Sequence, residues 1–145
     1  MNILHVEDQE DQFLLVEAAF EIAGIDARLI HVDSGEGSLA YLRKSGSYAN
    51  APTPDLVLLD LNMPRASGFD VLAARARDEA LRRIPFVVLT SSANPADVRR
   101  AHELGCSSYV TKPLDLYELA RAVKGIVDWL GAASLRVNGR PAGLP

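Results

Sequence analysis

Short apolar runs alternate along this chain with longer stretches whose apolar positions recur every three or four residues. Ile3 to Val6 is the first run, closed by Glu7 and Asp8. From about Gln9 to Ala23 the pattern is helical, with Gly24 as its stop. A second run covers Ala27 to Val32, and a second helix is predicted from Gly35 to Lys44. Ser45 to Pro54 gathers Ser, Gly, Asn and Pro, which predicts a loop. Leu56-Val57-Leu58-Leu59 is apolar at every position, as in a strand covered on both faces. A helix over Ser67 to Asp78 follows the turn from Pro64 to Gly68. Ile84 to Leu89 predicts a fourth strand. Asn94-Pro95-Ala96-Asp97 opens a helix with Pro just inside it, and Gly105 closes that helix. Ser108 to Thr111 is a short fifth strand. In the last helix Leu116, Leu119, Ala120, Val123, Val127 and Leu130 share one face, and Gly131 predicts its end. Residues 132–145 carry Gly, Pro and few apolar side chains. They read as a tail or arm after a single domain over residues 1–131.

Strict strand–helix alternation implies an α/β fold: a five-stranded parallel sheet, doubly wound by right-handed crossovers. In such sheets function gathers at the carboxyl ends of the strands. Those ends carry Glu7-Asp8, with Asp11 a turn further on, then Asp60, Thr90-Ser91-Ser92 and Tyr109-Val110-Thr111-Lys112-Pro113. Three carboxylates in a partly buried site repel one another. A hard divalent cation removes that cost, and an all-oxygen donor set suits Mg²⁺ rather than zinc. Asp60 ends the most buried strand and is the best placed nucleophile for attack on phosphorus. The transfer then needs positioning and neutralised charge on the equatorial oxygens. Mg²⁺ would cover one oxygen, Lys112 a second, and the Thr90 hydroxyl a third, with Ser91 and backbone N–H groups beside it.

Composition narrows the alternatives. The chain has 145 residues, 48% apolar and 23% charged, and a net charge of −4. That balance argues against broad binding to nucleic acid or to an anionic membrane. A single cysteine, Cys106, excludes an internal disulfide and a multi-cysteine metal site, and fits a reducing cytoplasm. No stretch approaches the roughly 18 apolar residues of a membrane span, and no signal peptide is evident.

At these residues the sequence resembles the receiver domain of bacterial two-component response regulators, a flavodoxin-like (CheY-like) sandwich. The matching segments are ILHVED, LVLLDLNMPRASGFDVL, VVLTSSA and SSYVTKPLD, within a likeness that spans about Asn2 to Leu130. The resemblance implies that Asp60 accepts a phosphoryl group from a histidine kinase, and that Glu7, Asp8 and Asp60 hold Mg²⁺ with a backbone carbonyl of Asn62. It implies that Thr90, Ser91 and Lys112 contact the phosphoryl group. Thr90 and Tyr109 would form the switch, Tyr109 turning into space vacated by Thr90. Pro113 is expected to follow a cis peptide bond. Two features depart from the commonest pattern: the acidic pair is Glu-Asp rather than Asp-Asp, and the Ser45–Pro54 loop is long. With Asp11 they resemble stand-alone receivers that work with phytochrome-type kinases.

Other residues invite roles. Trp129 with Leu130 could form a homodimer surface, since Trp is favoured at interface centres. His5 and His31 read as hydrogen-bonded strand histidines, and Cys106 as a small buried hydrophobe. A DNA-binding output is disfavoured because little chain follows the last helix. A phosphatase with an Asp nucleophile is disfavoured because position 62 is Asn, which cannot donate a proton as a second acid.

Overall fold

A computed structural model describes residues 1–135. Strands β1 (Asn2–Val6), β2 (Arg28–Val32), β3 (Leu56–Leu59), β4 (Phe86–Thr90) and β5 (Ser108–Thr111) form one sheet. Helices α1 (Glu10–Ile22), α2 (Gly35–Leu42), α3 (Gly68–Ala76), α4 (Glu79–Arg82), α5 (Pro95–Glu103) and α6 (Leu116–Leu135) surround it. Every pairing is parallel, in the order β2-β1-β3-β4-β5. The expected five-stranded, doubly wound sheet is the observed one.

The period of two along each strand divides the core. Leu56 and Leu58, with Val87 and Leu89, pack against Val16, Ala19 and Phe20 of α1 and Leu119, Val123 and Ile126 of α6. Val57 and Leu59, with Phe86 and Val88, face the opposite cluster, which includes Leu42, Val71, Leu72, Leu81 and Ala101 from α2 to α5. All four residues of β3 are fully buried. The middle strand therefore delivers its last residue, Asp60, to the rim of the sheet from a position fixed on both faces.

Several helix boundaries differ from expectation, and local chemistry explains each. The predicted Ser67–Asp78 helix is α3, which ends two residues early, and a short helix that was not predicted, α4, follows because the Asp78 carboxylate accepts from the N–H groups of Ala80 and Leu81. Ser67 and Asp70 form a reciprocal cap on α3. Gly24 and Gly105 stop their helices with φ of 69° and 90°. Gly131 does not stop α6, which runs on to Leu135. Its φ is not among the positive ones, and glycine alone does not break a helix. The remainder of the expected tail, 136–145, lies outside the described residues. The Ser45–Pro54 loop contains a 3₁₀ turn, Gly46–Tyr48, whose Tyr48 ring packs 5.2 Å from that of Tyr41. Tyr41 also donates its hydroxyl to Pro52 O at 3.2 Å, which ties the loop down. Among the described residues no helix is long and apolar enough to cross a membrane.

Candidate functional site

The carboxyl ends of β1, β3, β4 and β5 converge as the alternation demands. Glu7 is 1% exposed and Asp60 8% exposed, with Asp8 half-buried beside them. One carboxylate oxygen from each lies within 4.8 Å of the other two. Asp8 Oδ1 is buried and has no hydrogen-bond partner among the described residues. A buried, unpaired carboxylate oxygen beside two more carboxylates is costly without a cation. These donors are all oxygen, so the group fits a hard divalent ion. Asp11 is exposed on α1 and stands apart from the three.

Among the described residues Lys112 supplies the buried ion pair of this rim: its Nζ donates to Glu7 Oε1 at 2.9 Å. Burial pushes the Glu7 carboxyl up to about 7, against the pull of the Lys112 hydrogen bond and charge, and with a further upward push from Asp60. A raised acid contributes stability that is fully present below its unfolded value and is lost as pH rises through 7.

The Thr90 hydroxyl is fully buried and accepts from Asn62 Nδ2 and from the Ser92 N–H, each at 3.5 Å. Asn62 is itself exposed, and its N–H reaches Asp60 Oδ1 at 3.3 Å. Ser91 is exposed and lines, with Asp60, Asn62 and Lys112, a cavity of about 270 Å³. Tyr109 is half-buried, and its hydroxyl donates to Ser92 O at 2.7 Å. The ring therefore already faces the loop that follows Thr90.

Two expectations fail here. The bond before Pro113 is trans, as are all those described. Trans is the lower-energy isomer by about 0.5–1 kcal/mol, and Lys112 reaches Glu7 without any departure from it. Leu130 is not on a surface available for association. Its spacing from Leu119, Val123 and Ile126 places it in the core, 8% exposed. Trp129 packs half-buried at the edge of the same cluster.

The histidines separate. His31 Nε2 donates to Glu7 O at 2.7 Å, as a hydrogen-bonded strand histidine should. His5 is 1% exposed, and neither ring nitrogen has a partner among the described residues. Its ring stacks on Phe13 at 5.5 Å, and Phe13 on His31 at 4.1 Å. Burial, then the charges of Lys112 and His31, pull His5 down to about 3. A depressed histidine contributes stability above its unfolded value that is lost as pH falls through 3. Between pH 7 and pH 4.5 the chain should lose about 2 kcal/mol more than His5→Leu does. Urea unfolding of both proteins at the two pH values measures the difference, and parallel losses would refute it. Cys106 is buried and its thiol is pushed up to about 11, consistent with an inert core residue.

Three features were not anticipated. Gln12 reaches Lys112, with Oε1 3.4 Å from Nζ. Gly68 lies so close to Asp60 that an added Cβ would sit 2.4 Å from the Asp60 carbonyl oxygen. Arg75 is buried and donates to three backbone carbonyls. Only Gly68 left a trace in the sequence, as the end of the Pro64–Gly68 turn.

A doubly wound sheet with carboxylates and a lysine at its strand ends fits the receiver class of signalling domains, and the family match agrees. Residues 3–124 match the response regulator receiver domain, and the chain belongs to that family. Phosphorylation by a kinase is the general function of such receivers. The chain is 41% identical over 134 residues to response regulator Rcp1 of a Synechocystis strain, covering 92% of this chain and 91% of that one. The crystal structure of the phosphorylated cyanobacterial phytochrome response regulator RcpA superposes with a TM-score of 0.83 at 39% identity, over 90% and 94% of the two chains. The Mn²⁺-bound form of Rcp1 superposes at 0.79 with 39% identity, over 97% and 99%.

Proposed function

We propose that Asp60 is the phosphoacceptor of a Mg²⁺-dependent switch served by a histidine kinase. The observation that carries this reading is the orphaned Asp8 Oδ1 beside Glu7 and Asp60, on the rim that also holds Lys112. In the reaction an Asp60 carboxylate oxygen attacks phosphorus, an acyl phosphate bond forms, and the bond from phosphorus to the donor imidazole nitrogen breaks. The leaving imidazole takes a proton from solvent. A bound Mg²⁺ would lower the charge on the phosphoryl oxygens, held by Glu7, Asp8, Asp60 and the Asn62 backbone carbonyl. Lys112 moves from Glu7 toward a phosphoryl oxygen, and the Thr90 hydroxyl with the Ser91 segment meets another. Tyr109 then relays the state of Thr90 to the surface around α5, β5 and α6.

The protein acts on no separate substrate. It catalyses only its own phosphorylation and dephosphorylation, in the cytoplasm. The kinase is of the phytochrome type, a reading supported by the relatives Rcp1 and RcpA. Self-association as a twofold dimer belongs to the same reading and rests on Trp129.

Incubation with Mg²⁺ and acetyl phosphate, followed by intact mass, tests the assignment. The chain should gain one phosphoryl group, and Asp60→Asn or prior EDTA treatment should abolish the gain. Rapid consumption of acetyl phosphate with no trapped adduct would instead mark a hydrolytic enzyme.

A further inference from the structure

Gln12 is the third residue of α1. A Gln at that position commonly turns back to the N–H of the residue before the helix. Here that N–H, on Gln9, is directed to Glu7 Oε2 at 3.4 Å, and Gln9 provides no side-chain cap. The Gln12 amide turns instead toward the residue that follows β5, where Oε1 accepts from Lys112 Nζ at 3.4 Å. Gln12 also lines the cavity that holds Asp60, Ser91 and Lys112. Lys112 thus sits between a carboxylate at 2.9 Å and a neutral amide at 3.4 Å.

The two partners respond differently to the chemistry of the rim. Glu7 belongs to the acidic group that fits a divalent cation. With a cation there, Glu7 has less negative charge to offer the Lys112 ammonium, which the added charge also repels. The Gln12 amide lies outside that group and keeps its acceptor strength.

We propose that Gln12 is a positioning residue, holding Lys112 over the Asp60 cavity once Glu7 is engaged with metal, so that the ammonium meets the incoming phosphoryl group. This rests on Asp60 as phosphoacceptor and names a residue that sets the efficiency of the step. A lysine left to Glu7 alone would lose its anchor as the metal binds, and its flexible stem would have to be ordered during transfer.

The test uses the full chain, Mg²⁺ and beryllofluoride as the phosphoryl mimic, with the variants Gln12→Leu and Gln12→Met. Both should bind Mg²⁺ within about twofold of the parent, because the acidic group is intact. At saturating Mg²⁺, beryllofluoride affinity and the rate of phosphorylation by acetyl phosphate should each fall about three- to tenfold, the loss of one long hydrogen bond at the ordinary rather than the charge-assisted strength. The ¹⁵N-ammonium signal of Lys112, sharp in the Mg²⁺-loaded parent, should broaden. Unchanged mimic affinity in both variants overturns the proposal. So does a parallel fall in Mg²⁺ affinity, mimic affinity and thermal midpoint, which marks a merely structural role. If the folded, Mg²⁺-bound parent itself takes no beryllofluoride, the assignment of Asp60 falls instead.

Discussion

Arg75→Met is expected to lower the unfolding free energy by about 3–5 kcal/mol, because three buried carbonyls lose their donors at about 1–3 kcal/mol each. The guanidinium is 8% exposed for the residue as a whole and stands 5.0 Å from the Phe86 ring centroid. Nε donates to Ile84 O at 3.1 Å, Nη2 to Ile84 O at 2.9 Å and to Arg82 O at 3.1 Å, and Nη1 to Gly105 O at 2.8 Å. Those carbonyls lie at and just beyond the C-terminal ends of α4 and α5, where the helix dipoles are negative. The charge is therefore stabilised by oriented carbonyls. Burial pulls the Arg75 pKa down, but a guanidinium stays protonated at any working pH. Methionine keeps much of the stem's packing and removes every donor, leaving the carbonyls unpaired. In urea the midpoint should fall by about 2 M for an m-value typical of small domains. A shift below about 0.5 M would show that water replaces the guanidinium freely. Arg75→Lys should recover only part of the loss, since a compact ammonium lacks the rigid planar fork that spans the separated carbonyls.

Gly68→Ala should have the second largest effect, and it should reach the site as well as the fold. The new Cβ would meet Asp60 O at 2.4 Å and Leu61 Cα at 2.7 Å, both backbone positions that cannot swing aside. Either α3 or the Asp60 segment must move. We expect a loss of about 2–3 kcal/mol, the upper part of the range for overpacking. Phosphorylation by acetyl phosphate should fall at least about tenfold, because misplacing a reacting group by an ångström is that costly. Gly125→Ala is the control: it lies within α6 with nothing within 4 Å of the added Cβ. It should stabilise by about 0.5–1 kcal/mol, as Gly→Ala does inside a helix. If both variants behaved alike, the close approach at Asp60 would carry no strain.

The strand order and the rim were legible because β-alternation and the carboxyl-end rule act on local pattern. Leu56 to Leu59 announce a doubly covered strand, and Asp60 follows directly. The pairing of Lys112 with Glu7 was not legible, since 105 residues separate them and a lysine at a rim can turn several ways. Arg75 reads in a helix as one more exposed charge, and only the distant carbonyls of Ile84 and Gly105 reveal its burial. The extra helix α4 turned on one Asp78 side chain competing for backbone N–H groups, which periodicity does not register. The trans bond before Pro113 shows the limit of family likeness, which named an isomer the described backbone does not adopt.

The attachments of α5 sit unevenly along its length. Ala101 is its buried residue, Arg100 stands 4.2 Å from the Phe69 ring centroid, and Gly105, just beyond its end, is gripped by Arg75. At the other end Pro95 and Ala96 are exposed, and the hold comes from Asp97, which accepts the Ser92 hydroxyl at 2.6 Å. Ser92 also takes the Tyr109 hydroxyl and leans on Thr90. A stiff rod pinned near one end answers a push at the other by pivoting. With its buried contact at Ala101, α5 is held at the end far from Ser92, and a shift at Ser92 would reach it through Asp97.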